Sequence, residues 1–112
     1  MWFKTRVDLG HICTDFEIRA CYRRETGGWW IAAYARSGEA EGKSFFKSFS
    51  FGGSWFYLAA LPGGAEAEKE IARAMEIIAK AVESGATICD LTEVGTDEAW
   101  GGRWQPIRWP AR

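Results

Sequence analysis

Few residues of this sequence have the types and spacing that catalysis requires. His11 is the only histidine among the 112 residues, so Ser-His-Asp or Cys-His chemistry would have to use it. It follows Gly10 in a predicted turn, where we expect it to be solvated. Ser54 follows two glycines, but the nucleophile motif Gly-x-Ser-x-Gly fails because Phe56 stands at its last position. We expect Ser54 to cap the N-terminus of a helix instead.

The remaining polar residues do not predict a metal or cofactor site. No C-x-x-C pair occurs among the three cysteines, whereas a tetrahedral zinc site needs four Cys or His ligands with closely spaced pairs. Asp15 and Glu17 share a strand face with Arg19, a pattern typical of a solvated surface. We therefore predict a protein that is not an enzyme and uses no cofactor and no metal. A pocket between the sheet and the C-terminal tail, serving an enzyme or a small-ligand binder, stays open as an alternative.

The aromatic residues are the more informative set. They make up 15% of the chain, as 7 Trp, 7 Phe and 3 Tyr. Trp29 and Trp30 are adjacent on a predicted strand, so their side chains point to opposite faces. Trp30, Tyr34 and Phe46 would share the face turned away from the helix. Either the C-terminal tail folds over this patch or a partner binds it, because Trp, Tyr and Arg are enriched at interface hot spots. The candidate partner-binding residues are Trp30, Tyr34, Phe46, Arg19, Arg23, Trp104 and Trp109.

The charge balance limits the classes of partner. The net charge is -1, from 14 Lys and Arg against 15 Asp and Glu, which excludes a strongly basic nucleic-acid binder and a strongly acidic nucleic-acid mimic. Lys4, Arg6 and Asp8 interrupt the first ten residues, where a signal peptide would need an apolar stretch. The longest uncharged run, residues 48–65, is too rich in Gly and Ser to span a membrane. We expect a cytoplasmic protein, in the host cytoplasm if it is encoded by a phage.

Alternation of apolar and polar residues predicts strands in the first half of the chain. The predicted strands are residues 2–9, 12–24, 29–36 and 43–51, with a hairpin turn at residues 25–28 and a break at Gly10-His11. Ser54 and Pro62 bound a predicted short helix over residues 55–61. Ile71, Ala74 and Ile78 belong to an apolar stripe that predicts a long helix over residues 65–84.

These elements predict an α+β fold. It consists of an antiparallel meander of four to five strands, with the long amphipathic helix packed on one face and the short helix before it. A further strand is expected over residues 87–94, and residues 94–112 form an irregular Trp-rich tail. We expect a single domain over residues 1–112.

The segment Ser54-Trp55-Phe56-Tyr57, followed by Leu61-Pro62-Gly63 and by Ile71, Ala74, Met75 and Ile78, resembles a small phage-encoded type I-F anti-CRISPR family. The order of the upstream strands, with Gly42-Lys43-Ser44 opening the last of them, is also similar. The resemblance covers roughly residues 12–82. This chain differs from the family because it has an extra N-terminal strand, about 28 residues after the helix and two further residues before Leu-Pro-Gly. The family's partner-contacting residues have no assigned counterparts here.

The resemblance implies a small protein that inactivates a CRISPR surveillance complex by binding one of its protein subunits. The sequence thus predicts a non-enzymatic, phage-type inhibitor. The alternative is a single-stranded nucleic-acid binding module that uses the sheet aromatics, with Arg19 and Arg23 contributing to a positive groove. A homodimer through the strand edges or the Trp-rich tail also stays open.

Overall fold

The protein is an α+β structure in which the strands divide between two sheets. A computed structural model describes residues 1–12, 16–36, 40–41, 53–101 and 107. Its elements in chain order are β1 (Trp2–Lys4), β2 (Leu9–Ile12), β3 (Phe16–Tyr22), β4 (Trp29–Arg36), β5 (Ala40–Glu41), β6 (Gly53–Leu61), α1 (Ala67–Glu83), β7 (Ile88–Asp90) and α2 (Asp97–Trp100).

One sheet has four strands in the order β5-β2-β1-β7, and the other has three in the order β3-β4-β6. The expected single meander is not confirmed. In the four-stranded sheet β1 pairs with β2 antiparallel but with β7 parallel, so this sheet is mixed. The three-stranded sheet is antiparallel throughout. The α+β class itself is confirmed.

The main core lies between the two sheets and α1. The four-stranded sheet contributes Phe3, Ile12 and Cys89, all nearly inaccessible to solvent. The three-stranded sheet contributes apolar residues of β4 and β6, among them Ile31 and Phe56. Helix α1 confirms the prediction over residues 65–84 to within two residues at its start and one at its end. It buries Ala67, Ala74 and Ile78, members of the apolar stripe that its sequence shows at helical spacing.

The predicted short helix over residues 55–61 is wrong, because this segment lies within β6. Residues 56 and 58–61 are buried, and an apolar run buried on both sides shows neither period clearly. Ser54 therefore lies in a strand and does not cap a helix.

The prediction of one strand over residues 12–24 is also wrong at its start. Ile12 ends β2 in one sheet, whereas β3 begins at Phe16 in the other. The hairpin turn over residues 25–28 is confirmed: β3 and β4 pair antiparallel around it, and Gly27 has a φ of 72°.

The predicted break at Gly10-His11 is wrong as well, since both residues lie within β2. The chain turns earlier, at residues 5–8, where the buried Thr5 side chain organises the backbone. Its Oγ1 accepts hydrogen bonds from the amides of Val7 (3.2 Å) and Asp8 (3.0 Å), and it lies 2.8 Å from Asp8 Oδ1. This is the local hydroxyl-to-backbone bonding that favours turns.

Other expectations fall at the ends of the chain or outside the described residues. The strand expected over residues 87–94 is present but shorter, as β7. Residues 94–112 were expected to be irregular, yet α2 occupies residues 97–100, with Thr96 Oγ1 accepting a hydrogen bond from Ala99 N (3.2 Å). The strand predicted over residues 43–51 lies outside the described residues.

Gly10 is required by the packing of the two sheets. A Cβ at this position would overlap the ring of Phe56. We expect Gly10→Ala to lower the free energy of unfolding by about 2 kcal/mol, since overpacking a tight core costs about 1–3 kcal/mol. Urea denaturation checks this value. Combined with Phe56→Leu, which shortens the side chain, the substitution should cost less than it does alone, and strictly additive costs would contradict the proposed overlap.

Candidate binding face

The face of the three-stranded sheet turned away from the core, here called the outer face, carries most of the predicted binding residues. The antiparallel register aligns its side chains in rows across the strands. Cys21, Trp30 and Ala60 form one row, and Arg19, Ala32 and Tyr57 form the next. Glu17 and Tyr34 lie opposite each other in the row after that.

A β-bulge in β6 sets which side chains reach this face. Ile31 pairs with Ala59 but Ala32 pairs with Tyr57, so Leu58 is an additional residue on β6. Because of this extra residue, both Tyr57 and Ala60 lie on the outer face although they are three positions apart. A regular strand would place them on opposite faces.

One end of the outer face is covered by residues 94–101, here called the covering segment. Trp100, at the end of α2, is 1% exposed and packs with Val7 and Ala60 in a second buried cluster. The ring of Trp30 meets that of Trp100 edge-on at a centroid distance of 5.0 Å and lies 4.5 Å from that of Tyr57. Trp30 thus belongs in part to this second cluster.

Two arginines fasten the covering segment to the rest of the protein. Arg6 Nη1 forms an ion pair with Asp97 Oδ1 at 2.9 Å. The same guanidinium donates to the carbonyl oxygens of Gly95 (3.0 Å) and Val94 (3.3 Å). Arg23, directly after β3, donates to the carbonyl oxygen of Ala99. The early part of the predicted tail therefore covers one end of the outer face.

The other end of the outer face is accessible to solvent. The Tyr57 residue is 40% exposed. The side chain of Arg19 is 50% exposed and forms an ion pair with Glu17 at 3.0 Å. Its guanidinium carbon lies 5.3 Å from the centroid of the Tyr34 ring, and Tyr34 is half-buried. We call Arg19, Tyr34 and Tyr57 the open patch.

The structure brings four predicted residues together: Trp30, Tyr34, Arg19 and Arg23 all lie on the outer face. Phe46, Trp104 and Trp109 lie outside the described residues. Sequence reasoning missed Tyr57, because its segment was predicted as a helix. The sequence carries no alternation that could have indicated it, because residues 55–57 are three consecutive aromatics and the bulge disrupts the period of two further along β6.

The groups considered for catalysis do not converge in the part of the chain that the structure describes. His11 lies in β2 with its ring 4.6 Å from that of Trp2, and Glu17 is paired with Arg19. Burial raises the pKa of the Cys89 thiol to about 11, which keeps it protonated and unreactive at neutral pH. Over the described ranges, no three His, Cys, Asp or Glu side chains are grouped as metal ligands would be.

None of the helices in the described portion combines the length and apolar character that crossing a bilayer requires. Comparison with known proteins found no matching family model, no matching curated protein and no matching solved structure.

Proposed function

We propose that this protein is a small, non-enzymatic inhibitor that binds a protein partner through the open patch. The observation that supports the proposal best is the placement of Arg19, Tyr34 and Tyr57 at the end of the outer face that the covering segment leaves accessible to solvent. Tyrosine and arginine are the residue types that dominate interface hot spots. The resemblance to the type I-F anti-CRISPR family suggests the partner, a protein subunit of a CRISPR surveillance complex, and a phage-type role.

Cross-strand contacts restrict the open patch before any partner arrives. Tyr57 stacks against Trp30, and Tyr34 lies under the guanidinium of Arg19. Side chains that are already ordered lose less conformational entropy when they bind, so more of the contact energy appears as affinity. Ala32 lies between Arg19 and Tyr57 in the same row and is fully buried, so the larger side chains around it pack over this position.

Single-stranded nucleic-acid binding is the alternative, and the surroundings of Trp30 give it less support. Stacking requires an accessible ring face. The Arg23 guanidinium carbon lies 4.2 Å from the centroid of the Trp30 ring, and the rings of Tyr57 and Trp100 pack against the same indole. A base would have to displace one of these groups before it could stack there.

We expect Tyr34→Ala to weaken binding of the CRISPR subunit by at least about 25-fold, since truncating a hot-spot residue costs about 2 kcal/mol or more. Trp30→Ala is a poorer probe, because Trp30 also supports Trp100. The binding measurement is calorimetric titration against a purified type I-F surveillance complex. Circular dichroism checks that the variant is folded.

Tyr22→Ala is the matched control. Tyr22 is an exposed tyrosine at the end of β3, and it lies on the opposite face of the sheet from Tyr34, with its ring against Trp29. Its replacement should leave the affinity for the complex unchanged. The proposal fails if the intact protein neither binds the complex nor restores phage plating on a host with an active type I-F system. Strong, salt-sensitive binding of oligonucleotide instead would favour the alternative.

A further inference from the structure

Arg19 and Arg23 occupy equivalent positions in the β3–β4 hairpin. Arg19 lies opposite Ala32, and the ring beneath its guanidinium is that of Tyr34, two residues further along β4. Arg23 donates its backbone N–H to Gly28 O, and its guanidinium lies over Trp30, again two residues further along. The same arginine-over-ring arrangement thus occurs twice on one face, four residues apart.

A ring beneath a guanidinium fixes the plane of the cation. Arginine stacks on aromatic faces and keeps its N–H donors in the plane of the guanidinium, where they match the two oxygens of a carboxylate. Since the ring restricts the long side chain in advance, less entropy is lost when a carboxylate binds. These cations therefore resemble fixed anion receptors more closely than freely moving surface charges.

Over residues 16–23, the charges that reach the outer face leave a positive excess. Glu17 accepts from Arg19 at 3.0 Å, and the group that accepts from Arg23 is an uncharged carbonyl oxygen, that of Ala99. Among the side chains of residues 16–23 that reach the outer face, Arg19 and Arg23 thus stand against the single carboxylate of Glu17. Each guanidinium has five N–H donors, so a bound carboxylate can share it with the internal acceptor.

We infer that the outer face recognises an acidic segment of a partner protein, with one carboxylate at Arg19 and a second at Arg23. The inference rests on the proposed function and specifies the chemistry of its partner. Four residues along a strand span about 13 Å. Two acidic side chains four residues apart on an extended segment, or about nine apart along a helix, match that distance.

Poly-L-glutamate, titrated at low salt and followed by tryptophan fluorescence, is the probe for this inference. We expect saturable binding that weakens as salt is raised, because the contacts are between charges. Arg19→Gln should weaken it about 10-fold or more, as expected for loss of one charge-assisted contact. Arg19→Lys should also weaken the binding of poly-L-glutamate, since lysine keeps the charge but lacks the planar donors of a guanidinium.

Arg73→Gln is the matched control for the loss of one arginine. Arg73 lies on α1, its side chain is 47% exposed against 50% for Arg19, and it too is paired with carboxylates. Its replacement should leave poly-L-glutamate binding unchanged. An equal loss in both variants would reduce the effect to net charge and overturn the inference.

Other outcomes overturn it too. The inference is wrong if the protein does not bind poly-L-glutamate, or if Arg19→Gln binds it as tightly as the unchanged protein does. It is also wrong if the protein binds oligo(dT) more tightly than poly-L-glutamate at the same salt concentration. The proposed function is tested separately by the Tyr34→Ala titration. If that titration succeeds while poly-L-glutamate fails, the protein binds its partner through the open patch by chemistry other than acidic recognition.

Discussion

Replacing Trp100 with alanine is expected to be among the most damaging single changes to this protein. Trp100 is 1% exposed and forms the centre of the second cluster, with Val7 and Ala60 beneath it and Trp30 at its edge. Trp→Ala substitutions in a core cost about 3–5 kcal/mol, because apolar area is lost and a cavity is left. For a chain of this size, that corresponds to a fall in Tm of roughly 15 °C. Calorimetry measures it directly.

Two comparisons make this prediction specific to the second cluster. Trp100→Phe keeps part of the buried area and should recover much of the stability. Tyr22→Ala removes an exposed ring and should cost less than about 1 kcal/mol. A Trp100→Ala variant as stable as Tyr22→Ala would mean that the covering segment contributes nothing to folding, contrary to its burial.

Gly95→Ala is expected to be nearly as damaging, for two reasons that add. The backbone of Gly95 has a φ of 75°, which a residue with a Cβ adopts at a cost of about 1–2 kcal/mol. A Cβ here would also overlap the carbonyl oxygen of Ala60, a backbone atom that cannot rotate away. We expect a total loss of about 2–4 kcal/mol in the free energy of unfolding, measured by urea denaturation.

Gly85→Ala separates the two contributions. Gly85, just after α1, has a φ of 69°, and an added Cβ would meet no atom within 4 Å. Its replacement should therefore cost the backbone term alone, about 1 kcal/mol. Equal losses at the two glycines would contradict the close approach of Gly95 to Ala60.

The long helix and the hairpin were predictable because their signals are local. Ile71, Ala74 and Ile78 recur at helical spacing, and Gly27-Gly28 supplies the conformational freedom that a tight turn needs. In such segments each residue's neighbours in sequence are also its neighbours in space.

The partition of the strands into two sheets was not predictable in this way. Nothing local separates Ile12 from Phe16, although their strands belong to different sheets. Gly10 looked like a turn residue, and its requirement for the Phe56 ring is visible only once residues 46 positions apart are in contact. The prediction for the β6 segment was wrong for a related reason. Burial on both sides of a strand hides the alternation on which a strand prediction depends.

The candidate site was predicted in part. Alternation along β3 and β4 correctly placed Trp30, Tyr34, Arg19 and Arg23 on one face. Alternation could not show that Arg6, near the N-terminus, hydrogen-bonds to the covering segment and holds it against Trp30. That interaction joins residues 91 positions apart, and so the division of the face into covered and open ends depends on tertiary contacts.

The parallel pairing of β1 with β7 has a consequence for how a newly made chain folds. Trp2 pairs with Ile88, so the first strand must wait for 86 further residues before its neighbour exists. At about 5–20 residues per second, translation takes roughly 4–17 s to supply them. The β3–β4 hairpin can form during that interval, because the pairing of its two strands is local. Until β7 emerges, Phe3 lacks the Cys89 strand beside it, and the nascent protein is then most open to chaperones and to misassembly.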